Sequence, residues 1–131
     1  MNKTDNESIL LTTCPVIPVD NMNKAIRFYC DKLGFENTYD SNEYEEGPIN
    51  YLVLCRKNVC LHFQLFDSIE DITMPFLKFP VRNIEALYAE FREKEAIDES
   101  RKIQNTAWNT KEFAMYDPFM TGLTFYESLK K

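Results

Sequence analysis

Two rhythms of apolar residues alternate along this chain, and then the whole alternation returns. Met22, Ala25, Ile26 and Tyr29 recur at helical spacing, and so do Ile84, Leu87, Tyr88 and Phe91; side chains three and four residues apart share one face of a helix. The remaining apolar residues gather in short strand-like runs. These are "FENTY" (35–39), "NYLVLC" (50–55) and "NVCLHFQLF" (58–66) in the first half, and "KEFAMY" (111–116) and "LTFYE" (123–127) in the second. Runs of this length, rich in aromatic and β-branched residues and bounded by polar turns, predict strands. A further strand precedes each helix.

The two halves match at one offset. "IPVDNM" (17–22) returns as "FPVRNI" (79–84), 62 residues later, and at the same offset Leu61 and Phe63 meet Leu123 and Phe125, while "YLVL" (51–54) meets "FAMY" (113–116). Strand and helix phases that agree at a fixed spacing indicate a duplicated structural unit. The expected fold is α+β: a single domain over residues 1–131 built from two tandem βαβββ modules, about 9–66 and 74–128, whose mixed, curved sheets enclose a cavity. Asp20 or Asn21 is expected to cap the first helix and Gly34 to close it, because short polar side chains accept orphan amide bonds and glycine tolerates a left-handed turn. The strand matching "FENTY" is expected between Ile97 and Thr106, and "DSNEYEEGP" (40–48) and "DPFMTG" (117–122) read as loops.

Successive side chains of a strand point to opposite faces of its sheet, so alternation selects what faces the cavity. With Leu61, Phe63 and Leu65 packed under the helix, Cys60, His62 and Gln64 face the open side. Leu77, Phe79 and Val81 likewise leave Phe76, Lys78 and Pro80 open, and Leu123 and Phe125 leave Thr124 and Tyr126 open. Cys14 stands 62 residues before Phe76, as His62 does before Thr124, giving two symmetry-related pairs: Cys14 with Phe76, and His62 with Thr124.

Composition narrows the partners. An apolar fraction of 44% over 131 residues is enough to fill a core. A net charge of -6 and a pI near 4.8 argue against nucleic acid, whose phosphates require clustered Lys and Arg, and favour a neutral or cationic small molecule. No apolar stretch approaches the length needed to span a membrane, so the expected location is cytoplasmic. Cys14, Cys30, Cys55 and Cys60 are accordingly expected to be reduced thiols.

With these residues in place the chain resembles the vicinal oxygen chelate superfamily of glyoxalases, fosfomycin-resistance enzymes, extradiol dioxygenases and bleomycin-resistance proteins. The resemblance rests on "PVIPVDNMNKAIRFYCDKLGF" (15–35), "LHF" (61–63), "FPVRNIEALYAEF" (79–91) and "WNTKEFAMYDP" (108–118), the last similar to a "WGTREFAVRDP" pattern. It departs from the family at Asn109, where a glycine is usual, and at "DPFMTG", where "DPDGN" is usual; this puts Phe119 and Met120 on a tip expected to be exposed unless a second subunit covers it.

In the superfamily's enzymes a divalent metal is held at positions that fall here at Cys14, His62, Phe76 and Thr124. Phe76 has no donor atom and Thr124 only a neutral hydroxyl, so the resemblance implies a site without metal or other cofactor. It is nearest to the bleomycin-resistance proteins, which implies a homodimeric binding protein that sequesters a cationic or aromatic ligand. The ligand-binding residues are then expected to be Cys14, His62, Gln64, Phe76, Trp108, Thr124 and Tyr126, while the acidic loop carrying Asp40, Glu43, Glu45 and Glu46 reads first as a solvated turn and, as the alternative, as a partner for positive charge. The enzyme alternative is a glyoxalase-like lyase or thiol transferase using Cys14 and His62, with Cys60 in reach, around a metal or as nucleophile and base.

Overall fold

The computed structural model describes residues 6–130. The first module comprises β1 (Val16–Val19), α1 (Met22–Ile26), β2 (Glu36–Asp40), β3 (Tyr51–Arg56) and β4 (Val59–Leu65). The second comprises β5 (Phe76–Pro80), α2 (Ile84–Glu93), β6 (Gln104–Asn105), β7 (Thr110–Tyr116) and β8 (Gly122–Ser128). Each module forms a four-stranded mixed sheet, in the orders β1-β4-β3-β2 and β5-β8-β7-β6. This is the duplicated βαβββ arrangement that the offset predicts.

The duplication extends to the pairing of individual residues. In the parallel ladder of the first sheet Val16 lies opposite His62 and Ile17 opposite Phe63; in the second, Lys78 lies opposite Thr124 and Phe79 opposite Phe125. Both members of each pair are displaced by 62 residues. The antiparallel β7–β8 ladder departs from this. Leu52 pairs with Phe63 whereas Phe113 pairs with Phe125, so "YLVL" corresponds to "EFAM" at an offset of 61 rather than to "FAMY" at 62. The cause is the connection. Lys57 and Asn58 alone join β3 to β4, while five residues, Asp117–Thr121, join β7 to β8.

Local chemistry explains how the helices begin and end. The Asn21 side chain accepts a hydrogen bond from the Lys24 amide at 2.9 Å, satisfying an orphan donor of the first turn. After Ile26 the chain continues through a π-helical turn over Arg27–Lys32, and Gly34, at φ +79°, then redirects it. The second helix lacks a side-chain cap of its own. Asn83 sits in the left-handed region, and the Glu127 carboxylate on β8 accepts from the amides of Asn83 and Ile84 at 3.1 and 3.0 Å.

The helix-facing side of each sheet carries the core. Ile17, Val19, Leu52, Leu54, Leu61 and Phe63 of the first module are essentially inaccessible, as are Ile84, Phe91, Phe113, Met115 and Leu123 of the second. Contacts between the modules also lie on this side. Buried Tyr29 donates its hydroxyl to Asp117 at 2.7 Å, and Arg56 at the end of β3 forms a two-pronged pair with Glu90 of α2 at 2.8 and 2.9 Å.

Two expectations need correction. Phe119 is 4% exposed, not on an exposed tip: Asp117 accepts from the Phe119 and Thr121 amides at 2.8 Å each, folding Phe119 inward, while Met120 stays exposed as expected. Cys55 and Cys60 form a disulfide, because the two-residue turn sets them directly opposite on β3 and β4; only Cys14 and Cys30 are free thiols among the described residues. The open faces of the sheets keep large side chains such as Val16 and Phe76 exposed.

Candidate functional site

Register lays out each open face as rows of residues. On the first sheet Val16, His62, Val53 and Tyr39 lie side by side across the strands, flanked by Pro18, Gln64 and Tyr51 on one side and by Cys60, Cys55 and Glu36 on the other. The Tyr51 hydroxyl and His62 Nδ1 are 2.8 Å apart, a hydrogen bond in which either ring can donate, and the rings meet edge to face. The half-buried imidazole is thus held in one orientation on the open face by a residue of the neighbouring strand.

On the second sheet the rows are Phe76, Gly122 and Tyr116; Lys78, Thr124 and Ala114; and Pro80, Tyr126 and Glu112. The Phe76 ring lies across Gly122, where an added Cβ would come within 2.3 Å of it. Two cations sit over aromatic rings, Lys78 at 5.1 Å from the Tyr126 centroid and Arg101 at 5.4 Å from that of Tyr116. Glu112 accepts from the Thr110 hydroxyl at 2.7 Å and from the Trp108 indole nitrogen at 3.1 Å. Desolvation pulls its carboxyl up, but those two hydrogen bonds and the charge of Lys78 outweigh it, so its pKa ends below the ordinary value. A recess of about 420 Å³ opens here, lined in part by Arg101, Gln104, Glu112, Ala114 and Thr124.

The expected site residues therefore divide into two groups. His62 and Gln64 share the first open face; Phe76, Thr124 and Tyr126 share the second, with Trp108, 66% exposed, anchored at its edge through Glu112. Cys14 is exposed and lies just ahead of β1. Strand β1 begins two residues after it, and its counterpart at the offset of 62, Phe76, lies opposite Gly122, while Val16 and Lys78 lie opposite His62 and Thr124. In the acidic loop Asp40 accepts from the Asn42 amide and Glu45 from the Asn50 side chain, so these two carboxylates hold the loop together.

Tyr51 and Glu112 are further members of the open faces that the sequence reading passed over. Alternation along β3 already places Tyr51 with Val53 and Cys55. Glu112 was hidden by the slip of one residue: at an offset of 61 it is the counterpart of Tyr51.

These residues do not suit the metal of the superfamily's enzymes. Of the four corresponding positions, Cys14 lies ahead of its strand, Phe76 has no donor, Thr124 has a neutral hydroxyl and His62 is bonded to Tyr51 through Nδ1. Among the described residues no three His, Cys, Asp or Glu side chains are grouped to hold an ion.

Comparison with known proteins agrees with this architecture. The profile of the Glyoxalase/Bleomycin resistance protein/Dioxygenase superfamily matches residues 10–125. Bleomycin resistance proteins of Geobacillus stearothermophilus and Staphylococcus aureus are 23% identical over 92% of this chain and 99% of their own. Among solved structures, the bleomycin resistance determinant encoded on transposon Tn5 superposes with a TM-score of 0.75 at 15% identity, over 91% of this chain and 98% of that one. The bleomycin-binding protein of Streptomyces verticillus, complexed with copper(II)-bleomycin, does so at 0.64 and 19%, over 95% and 100%.

Proposed function

The chain belongs to the Glyoxalase/Bleomycin resistance protein/Dioxygenase superfamily, and we propose that within it this protein is a metal-free, non-catalytic binding protein that sequesters a cationic or aromatic small molecule on the open faces of its sheets, as a homodimer. One observation carries the reading. On the open faces Tyr51 is paired with His62 and Glu112 with Thr110 and Trp108, while the rings of Phe76, Trp108 and Tyr116 stay exposed. Such a surface can stack a planar ligand, and an ionised Glu112 among these rings gives a positive group on that ligand a partner.

The superfamily also contains enzymes. A lyase or thiol transferase built on Cys14 and His62 is the second reading; Cys60, held in the disulfide, takes no part in it. The relatives named for bleomycin make that cationic, aromatic-rich drug the first probe. At a concentration one hundred times its Kd, a ligand that binds only the folded state stabilises it by about 2.7 kcal/mol, so bleomycin is expected to raise the melting temperature by several degrees and to be recovered unchanged. A chemically altered drug, or turnover that depends on added metal, would overturn the non-catalytic reading. No shift with bleomycin or with a panel of cationic and neutral aromatic compounds would overturn the ligand class.

A further inference from the structure

The disulfide between Cys55 and Cys60 occupies an unusual place for a staple. It links two residues that the β3–β4 ladder already holds opposite one another, with Cα atoms 4.1 Å apart and a sequence separation of only five. The neighbouring pairs Leu54 with Leu61 and Arg56 with Val59 fix the register whether or not the sulfurs are joined. A crosslink constrains the unfolded chain most when it closes a long loop, and this one closes a very short loop. Reversible chemistry is favoured instead, because the ladder keeps the two thiols within reach after reduction.

The surroundings give a reagent access. Both cysteines belong to the open face, one row from His62 and Val53, and both are only half-buried. Cys55 lines a recess of about 440 Å³ whose other walls are Gly34, Glu36, Arg56, Lys57 and Glu90. Arg56 and Glu90 are engaged with one another there, which leaves the Lys57 ammonium and the Glu36 carboxylate, the latter directly opposite Cys55 on β2, as charges for a visiting molecule. The Thr38 hydroxyl lies 3.4 Å from Cys55 Sγ.

We propose that Cys55 and Cys60 form a redox-active modification site that exchanges with a zwitterionic low-molecular-weight thiol seated in this recess. The thiolate of the small molecule attacks Cys55 Sγ, forming a mixed disulfide and releasing Cys60 as a thiolate, which takes up a proton. A second small thiol attacks the small-molecule sulfur of that mixed disulfide, releasing Cys55, which is protonated in turn. The balance is one protein disulfide and two small thiols giving one protein dithiol and one small-molecule disulfide, a transfer of two electrons and two protons. The reverse sequence restores the crosslink. This inference does not depend on which ligand, if any, the open faces bind.

The test is a redox titration of the full chain under native conditions in glutathione buffers of graded reduced-to-oxidised ratio, quenched with acid, alkylated and read by peptide mass. Expected is a reversible transition in which Cys55 and Cys60 change together while far-UV circular dichroism stays constant. In Cys60→Ser, glutathione should be trapped as a mixed disulfide on Cys55. The double variant Cys55→Ser/Cys60→Ser, expected to fold with a melting temperature within a few degrees of the parent, serves as the folding control. A crosslink that is reduced only in denaturant would overturn the proposal. So would a transition confined to Cys14 and Cys30, or a Cys60→Ser protein that folds yet traps no adduct at Cys55.

Discussion

At the scale of single residues, His62 bears most directly on the proposed binding face. It is the only histidine of the chain, and its neighbours Leu61 and Phe63 are buried while its own ring shares the open face with Tyr51. Replacing it with alanine leaves Tyr51 half-buried and within reach of water, so His62→Ala is expected to cost about 1 kcal/mol or less in a denaturant titration while weakening binding of a screened ligand. A large loss of stability with unchanged binding would show that the ring serves the fold instead. Glu112 supplies a second measurement. Its carboxyl titrates below the ordinary range, so affinity for a cationic ligand should be flat from neutral pH down to the usual glutamate value near ~4.3 and fall only below it, as the carboxylate is protonated; Glu112→Gln should weaken binding at neutral pH and abolish that acid limb. How these residues were or were not legible follows from alternation. It is local and needs no partner strand, so His62, Gln64, Phe76, Thr124 and Tyr126 could be assigned to open faces from sequence. The Tyr51–His62 and Trp108–Glu112 contacts join different strands or a loop to a strand, and depend on registers that a single run does not state.

At the scale of elements, the duplicated unit was readable because the parallel ladders repeat with the same offset on both of their strands. What escaped was set by turns. The five-residue Asp117–Thr121 connection slips β7 by one position, and the two-residue turn at Lys57 and Asn58 brings Cys55 opposite Cys60; the sequence "CRKNVC" contained that pairing once the turn length was known. Strand β6 was expected only as a region between Ile97 and Thr106, since it consists of just two polar residues, Gln104 and Asn105. Two predictions belong here. In Gly122→Ala the new methyl group displaces the exposed Phe76 ring, which is free to swing away, so the expected result is a small change in stability with a loss of affinity for aromatic ligands. Loss of affinity together with unfolding would show that the Phe76 ring is structural. Glu127 ties the first turn of α2 to β8, and its carboxyl is held below the ordinary glutamate range by the amides of Ile84 and Asn83, against opposing desolvation. A depressed carboxyl stabilises the fold above the unfolded-state pKa and loses that contribution as pH falls through the folded-state value. Glu127→Gln should therefore lower the melting temperature at neutral pH and narrow the gap to the parent in acid.

At the scale of the whole molecule, the polar interlock between the modules lies on the helix side of the sheets, while the open faces and the segment ahead of β1 expose large apolar side chains. On the helix side, Tyr29 and Asp117 connect the modules across 88 positions of sequence. Burial, followed by the charge and the hydrogen bond of Asp117, raises the Tyr29 phenol well above its ordinary value. A raised pKa adds stability that is complete below the unfolded tyrosine value of about 10 and is lost as pH climbs past it. Tyr29→Phe should thus flatten the alkaline limb of the stability curve, whereas Asp117→Ala, which leaves the Phe119 and Thr121 amides and the Tyr29 hydroxyl without an acceptor, should cost about 3 kcal/mol or more. The open faces expose Val16, Phe76 and Tyr116, with Trp108 at the edge, and in the segment ahead of β1 Ile9, Leu10 and Leu11 are 70%, 98% and 89% exposed. The chain presents 9288 Å² to solvent, against about 7,200 Å² expected for a compact monomer of its mass. An excess of this size, rich in large apolar side chains, matches what a subunit of a stable dimer buries, and in the proposed homodimer a second copy would cover it. Sedimentation at micromolar concentration should therefore give about twice the chain mass, and Leu10→Asp/Leu11→Asp should shift it toward the single chain while far-UV circular dichroism remains that of the folded protein. A parent that sediments as a stable monomer and still binds an aromatic ligand would show that one chain completes the groove unaided, and the homodimer would have to be abandoned.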